Sequence, residues 1–348
     1  TFETLTGNKC LVDTFDRNFQ FNVEHVSLAK MADIFLVAPA SADVIGKIAN
    51  GIADDMLTTT IMACKCPKLI SPAMNTNMFT NPIVQDNLKK LEHYGYEIIQ
   101  PDSGYLACGD TGAGKMPSEQ VLLNYILRTI AKDKDMTGIK LTVTAGPTRE
   151  KLDPVRFLSN NSTGKMGYAI AKMAMLRGAD VTLISGKVSL EPVPFVKMVD
   201  IVSAEDMYNA VIKSAKDADI IIKAAAVADY RPSDVSDEKI KKKDGDMSIS
   251  LERTKDIIGT LGSSKRDGLF LCGFSMETEH MLDNSKVKLT KKNLDMIVAN
   301  NVKVAGAGFG TDTNVVTVIT KDAVEELPMM SKEEVADALL DRIMKARQ

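Results

Sequence analysis

Asn160, Arg156, Asp229, Lys239, Lys288 and Lys292 are the residues of this 348-residue chain best placed to handle a nucleotide or another phosphorylated ligand. Lys288 and Lys292 are spaced i,i+4, which puts both ammonium groups on one helix face. Beside a glycine-bounded loop, such a pair suits a triphosphate. Asp229 ends the segment KAAAVAD, in which a strand passes into small residues, and Ala224 and Ala225 permit close approach of a flat base or ribose. Asp229 itself is open to two readings: a ligand for a metal ion or ribose hydroxyl, or a simple turn cap. Lys239 leads the run KIKKK, whose later lysines read as a solvated face.

The stretch LTVTAGPTREKLDPVRFLSNNSTGKMG, residues 141–167, frames the first of these positions. A β-branched run ends in Gly146 and Pro147, and a polar loop carries Arg149, Arg156, Asn160 and Asn161. Gly164, Lys165, Met166 and Gly167 then open the helical pattern YAIAKMAMLRGA. Strand, loop and glycine-opened helix together present backbone N–H groups to a phosphate. The segment is not a P-loop, because Met166 stands where Ser or Thr is required, and the GxGxxG dinucleotide fingerprint is missing there. The missing fingerprint disfavours a nicotinamide oxidoreductase.

The first half offers three candidates. Asn75, in PAMNTNM after a buried strand, supplies amide donors for a carboxylate or caps the next helix. His25, near a helix start, is a usable base, although a lone histidine is more often structural. Cys108 lies in the glycine-rich loop SGYLACGDTGAGKMP, which suits a flap over a ligand; its thiol is a proton donor, a nucleophile or incidental.

These positions need elements to hold them. Strands are predicted at 34–39, 68–72 and 97–100, with helical periodicity over 42–64, 82–94 and 118–133. A charged, glycine-ended linker follows at 132–138. A second series has strands at 141–145, 180–185, 220–225, 269–274, 296–299 and 315–320. Its helices fall at 166–176, 204–215, 279–292 and 332–345. The pattern predicts two tandem doubly wound α/β modules, residues 1–135 and 136–348, the second nucleotide-binding. The chain starts at Thr1, and TFETLTGNKC reads as the middle of a domain, so an upstream part is expected.

Bulk properties exclude several classes. A net charge of −3 gives no general attraction to nucleic acid. Five irregularly spaced cysteines make no disulfide framework, and Cys64 and Cys66 have no nearby histidines for a zinc site. A reducing, cytoplasmic setting is the simplest reading, and no apolar run is long enough to span a bilayer.

In order, HVSLAKMAD, APASAD, GIADDML, PAMNTNM, ACGDTGAGKMP, AGPTRE, DPVRFLSNNSTGKMG, AAVADYRP, KIKK and KKNLDMIVAN span essentially the whole chain. Together they closely resemble the bifunctional phosphopantothenoylcysteine decarboxylase / phosphopantothenate–cysteine ligase family of coenzyme A biosynthesis. The resemblance implies a flavodoxin-like FMN decarboxylase module, whose first strand and flavin-phosphate loop lie upstream, and a Rossmann-like CTP-dependent ligase module. In the ligase, Asn160 would act on an acyl-cytidylate with Arg156 nearby. Ala224, Ala225 and Asp229 would line the cytidine site, Asp229 also meeting Mg²⁺, and Lys239 would serve the CTP phosphates. Lys255 (in place of the family's usual proline), Asp256, Ile257, Ile258, Phe274, Lys288 and Lys292 would complete the nucleotide site. In the decarboxylase, His25 matches the catalytic histidine, Asn75 would hold the substrate carboxylate and Cys108 would donate a proton. Pro39, Ala40, Ser41, Ala42, Asp43 and Met74 would contact flavin. The resemblance further implies 4′-phosphopantothenate, cysteine, CTP and phosphopantothenoylcysteine as small-molecule partners, and homo-oligomers: dimers for the ligase, trimers for the decarboxylase. A rival from another class is a non-catalytic flavin-binding or regulatory subunit, against which the ligase motifs argue.

Overall fold

A computed structural model describes residues 1–12, 24–106, 109–241, 247–276, 281–300, 308 and 310–347. The chain divides into two compact units, Thr1–Lys132 and Asp133–Gln348. Among the described residues no helix is long and apolar enough to cross a membrane.

The first unit runs α1 (Phe2–Thr6), α2 (Glu24–Met31), β1 (Phe35–Ala40), α3 (Ala42–Ala49), α4 (Met56–Ala63), β2 (Lys68–Pro72), α5 (Thr76–Phe79) and α6 (Pro82–His93). It continues through β3 (Glu97–Ile98), β4 (Asp102–Tyr105), β5 (Thr111–Lys115) and α7 (Glu119–Ile130). β1, β2 and β3 form a parallel sheet in that order. Alternation sends Val37 and Ile70 to one face, where they pack with Ile45, Ile61, Leu88 and Leu91. On the other face Leu69 and Ile99 meet Leu122 of α7. Helices therefore cover both faces, as a parallel sheet requires.

Two expectations in this unit are corrected. The helical run predicted over 42–64 is two helices, because Gly51 takes φ +71° and Asp55 starts α4 afresh. The Asp55 carboxylate accepts from Thr58 N at 2.8 Å, closing a capping box. The glycine-rich segment after residue 102, expected as a flexible loop, forms the antiparallel hairpin β4–β5. Its glycines serve close approach instead of flexibility: a Cβ on Gly114 would lie 2.1 Å from the Met74 carbonyl oxygen.

The second unit contains β6 (Lys140–Ala145), β7 (Glu150–Lys151), β8 (Phe157–Leu158), α8 (Lys165–Leu176), β9 (Asp180–Ser185), β10 (Lys197–Asp200), α9 (Ala204–Ser214), β11 (Ile220–Lys223), β12 (Tyr230–Pro232) and β13 (Leu251–Arg253). It closes with α10 (Ile257–Ser263), β14 (Phe270–Met276), α11 (Met281–Lys291), β15 (Met296–Asn300), β16 (Thr313–Asn314), β17 (Val316–Thr320), β18 (Val324–Glu326), β19 (Met330–Ser331) and α12 (Lys332–Ala346). The sheet order is β10-β9-β6-β11-β14-β15-β17-β18. Its first six strands are parallel, and in chain order they read 3-2-1-4-5-6, the doubly wound dinucleotide-fold arrangement. β17 and β18 extend it antiparallel, so the predicted last strand has a partner that the sequence did not announce. α8 and α12 cover one face, and α9, α10 and α11 the other.

Strand order reverses between β6 and β11, and α8 must sit close to β6 there. Gly167 makes this possible, since a Cβ at that position would fall 2.6 Å from Ala145 Cβ and 2.9 Å from the Thr144 carbonyl. Gly167→Ala is therefore expected to destabilise the unit by about 1–3 kcal/mol through overpacking, outweighing alanine's helix preference. Denaturant unfolding of the purified chain measures it.

Candidate functional site

The carboxyl ends of β6 and β11 are stitched together residue by residue. Ala225 N donates to Thr144 Oγ1 at 3.1 Å, Ala226 N to the Gly146 carbonyl at 3.0 Å, and Ala228 N to the buried Thr148 Oγ1 at 3.0 Å. In open α/β sheets this switch point is where ligands bind. Asn160 closes it from above: its Nδ2 donates to the Ala226 carbonyl at 2.7 Å while its Oδ1 accepts from Ser162 N at 3.0 Å. The loop after β6 is thereby tied to the loop after β11.

Two adjoining clefts open beside this seam. One, with a volume of about 290 Å³ and open to solvent on one side, is lined by Lys223, Ala224, Ala225, Asp229, Phe274 and Lys288, among others. Lys292 and Ile258 complete its wall. The other shares Lys223, Asp229 and Lys292 and adds Lys255, Asp256 and Ile257. A further pocket lies at the N-terminus of α8, between Gly164–Gly167 and Lys332, and shares Ala224 and Phe274 with the first cleft. Gly164 caps α8 in the left-handed region at φ +79°, with no side-chain cap, so the first N–H groups of this helix are presented to the pocket. Lys332 is almost fully buried and donates to the Gly308 carbonyl at 3.0 Å; burial pushes its pKa down.

Several predicted residues are committed to partners. Asp256 caps α10 and pairs with Lys292 Nζ at 2.9 Å. Its carboxyl is held below the usual range, the Lys292 hydrogen bond and the Gly259 N–H outweighing its burial. Lys255 lines the second cleft, but its ammonium reaches Glu205 at 2.9 Å and lies over the Tyr208 ring. Ile257 and Ile258 are buried in the core beneath α10. The Asp229 carboxylate makes no hydrogen bond or ion pair among the described residues, and it faces both clefts.

Arg156 does not line these clefts. Its Nε and Nη2 grip the buried Asp153 carboxylate at 2.9 and 2.6 Å, and Nη2 also donates to the Ile240 carbonyl at 2.8 Å. Asp153 further accepts from Ile240 N at 3.1 Å. The pair thus clamps the residue next to Lys239, which itself stands exposed on its loop. Lys223 is the cleft residue that sequence reasoning passed over.

In the first unit, Ala73 N donates to the Ala40 carbonyl at 3.0 Å and Met74 N to the Gly114 carbonyl at 3.0 Å, drawing the β2 loop against β1 and the hairpin. Asn75 is the helix cap, and its amide is held by the protein itself. Its Oδ1 caps α5 at Asn77 N (2.8 Å), and its Nδ2 donates to a carboxylate, that of Asp110 at 3.0 Å. Ser41 caps α3, whose first turn holds Ala42 and Asp43, and Pro39 and Ala40 are the last two residues of β1 before it. His25 is half-buried on α2. Cys108 lies outside the described residues.

Comparison with known proteins decides the family. Residues 136–346 match the DNA/pantothenate metabolism flavoprotein C-terminal domain, and residues 1–131 match the Flavoprotein family. The coenzyme A biosynthesis bifunctional protein CoaBC of Bacillus subtilis is 46% identical over 347 residues, covering 99% of this chain and 85% of the relative. The chain belongs to this family of coenzyme A biosynthesis bifunctional proteins. Another relative, a cysteine/cysteine sulfinic acid decarboxylase from an unknown prokaryotic organism, is 42% identical over 99% of this chain and 98% of its own length. Among solved structures, the C-terminal domain of a CoaBC protein is 44% identical with a TM-score of 0.53, covering 62% of this chain and 97% of that one. The family's two-part α/β architecture is the one seen here.

Proposed function

We propose that this chain is a bifunctional enzyme of coenzyme A biosynthesis that joins 4′-phosphopantothenate to cysteine at the expense of CTP and then decarboxylates the product. The observation that carries the reading is the switch-point cleft, where Ala224, Ala225, Asp229, Phe274, Lys288 and Lys292 share one cavity beside the N-terminus of α8, which has no side-chain cap. The substrate carboxylate attacks the α-phosphate of CTP, pyrophosphate leaves, and an acyl-cytidylate forms. The amine of cysteine then displaces CMP to give the amide. Activation is needed because a free carboxylate is a poor acyl donor. Ala224 and Ala225 admit the nucleoside, Phe274 packs against it, and the lysines offset charge on the phosphates. Lys239, whose neighbour Ile240 is held by the Asp153–Arg156 clamp, would serve the triphosphate from its loop.

Mg²⁺ fits this site. A hard cation bound largely through substrate phosphates needs one or two protein carboxylates, and Asp229 offers one without a competing partner among the described residues.

The first unit fits FMN. Thr76 Oγ1 is buried without a hydrogen-bond partner beside the glycine hairpin, and Ser41 with Ala42 and Asp43 forms a helix start at the end of β1. Pro39, Ala40, Met74 and these residues would hold the flavin. When bound, FMN supplies the oxidation that eases loss of CO₂. Asn75 would orient the substrate carboxylate, His25 would move a proton, and Cys108 would donate one. We assign the enzyme to the cytoplasm and to homo-oligomers, ligase dimers and decarboxylase trimers.

A second reading, decarboxylation of free cysteine or its sulfinic acid, is favoured by the 42%-identical relative of that name. Incubation with phosphopantothenate, cysteine and CTP separates the two. CMP and pyrophosphate released in step with amide formation support the ligase, whereas CO₂ from free cysteine without CTP supports the alternative.

A further inference from the structure

Lys223 ends β11 immediately before the Ala224–Ala226 seam, so the strand delivers its side chain to the switch point. It lines both adjoining clefts. The three preceding residues, Ile220 to Ile222, are buried and apolar, and a lysine is the wrong residue to continue that core. Among the described residues its ammonium makes no hydrogen bond, and the charges it feels are Lys292 and Lys288 on one side and Asp229 and Asp256 on the other. Lys292 is already paired with Asp256, and Lys255 with Glu205. Burial, reinforced by Lys292, pushes the Lys223 pKa down, the sign of an ammonium short of compensation.

An unpaired, desolvated cation at the mouth of a cleft is unfavourable until an anion arrives. Four lysines, one arginine and two aspartates line the two clefts, an excess of positive charge that suits a polyanion better than a neutral base or sugar. We infer that Lys223 is a further ligand-contacting residue of the cleft, its ammonium donating to a phosphate oxygen of the bound nucleoside triphosphate. This inference rests on the nucleotide reading of the site given above. Lys223 thereby adds a fixed contact from a rigid strand to those that Lys239 brings from an exposed loop.

The test compares the full chain with its Lys223→Met and Lys223→Arg variants in calorimetric titrations with CTP, CMP and cytidine, each in the presence of Mg²⁺. Methionine keeps the length and apolar stem without the charge. For Lys223→Met the expected result is CTP binding weakened by about tenfold or more, the loss of one charge-assisted hydrogen bond. Cytidine binding should be unchanged, and Lys223→Arg should recover part of the loss. The melting temperature without nucleotide should hold or rise, because an uncompensated ammonium has been removed. Unaltered CTP affinity in a folded Lys223→Met variant overturns the inference, as does an equal loss for CTP and cytidine, which would place the contact on the nucleoside. If the unsubstituted chain binds no CTP, the nucleotide reading itself falls and the Lys223 assignment falls with it. Indifference of the variant alone refutes only the latter.

Discussion

Asn160→Ala will lower CTP-dependent formation of the cysteine amide by about a hundredfold, the cost of letting the loop above the cleft shift by about 1 Å. The side chain sits at the seam between the β6 and β11 loops, donating to the Ala226 carbonyl and accepting from Ser162 N. Alanine removes both bonds and leaves the loop above the cleft untied. Asn160→Asp sharpens the test, because it sets a carboxylate oxygen against the Ala226 carbonyl at 2.7 Å where a donor now stands. The fold should survive both changes, since Asn160 is exposed and contributes nothing to the core. Single-turnover kinetics with circular dichroism of each variant provide the check. A wild-type rate in a folded Asn160→Ala protein would remove Asn160 from the mechanism.

Asp153→Asn is expected to lower ligase kcat/KM by about a hundredfold without touching any cleft residue. Asp153 accepts from Val155 N, Arg156 N, the Arg156 guanidinium and Ile240 N, and an amide cannot serve all these donors. The segment holding Lys239 then loses its anchor, and a displacement of about 1 Å at a reacting group costs on that order. Supplying more CTP should not restore the rate if Lys239 acts in the activation step. The Arg156 guanidinium, with the backbone donors, holds the Asp153 carboxyl well below the usual carboxylate range. Its folded pKa is depressed, so its contribution to stability is present in full above the ordinary aspartate value of 3.8 and is lost as pH falls toward the folded value. Unfolding midpoints of wild type and variant should therefore differ most near neutral pH and converge in acid.

What the sequence made legible was local. Val143 and Ile220–Ile222 are β-formers that fill the core, and the glycines at 164 and 167 marked the start of α8, the first taking a left-handed backbone and the second letting helix and strand approach closely. Ala224 and Ala225 read as a smooth wall for a flat ligand, and they line the cleft. Contacts distant in sequence were not legible. Arg156 meets Ile240 across 84 residues, and no spacing rule connects them, so a side chain expected near the acyl intermediate is found holding a neighbouring loop. β10 and β18 escaped because KMVD and VEE lack the apolar run of a buried strand; they are sheet edges that need less of it. Lys223 was hidden by its place at the end of an isoleucine run, where its type looked like an ordinary strand terminus. Its environment, assembled from β11, α10 and α11, exists only after folding.

The most direct measurement is nucleotide stoichiometry. The purified chain is incubated with 4′-phosphopantothenate, cysteine, Mg²⁺ and either CTP or ATP, and CMP, pyrophosphate and amide product are quantified together. A cleft that activates a carboxylate by cytidylyl transfer yields one CMP and one pyrophosphate for each amide formed, and it requires CTP. Amide formed with ATP and no use of CTP, or CTP consumed to CDP and phosphate, would contradict the account.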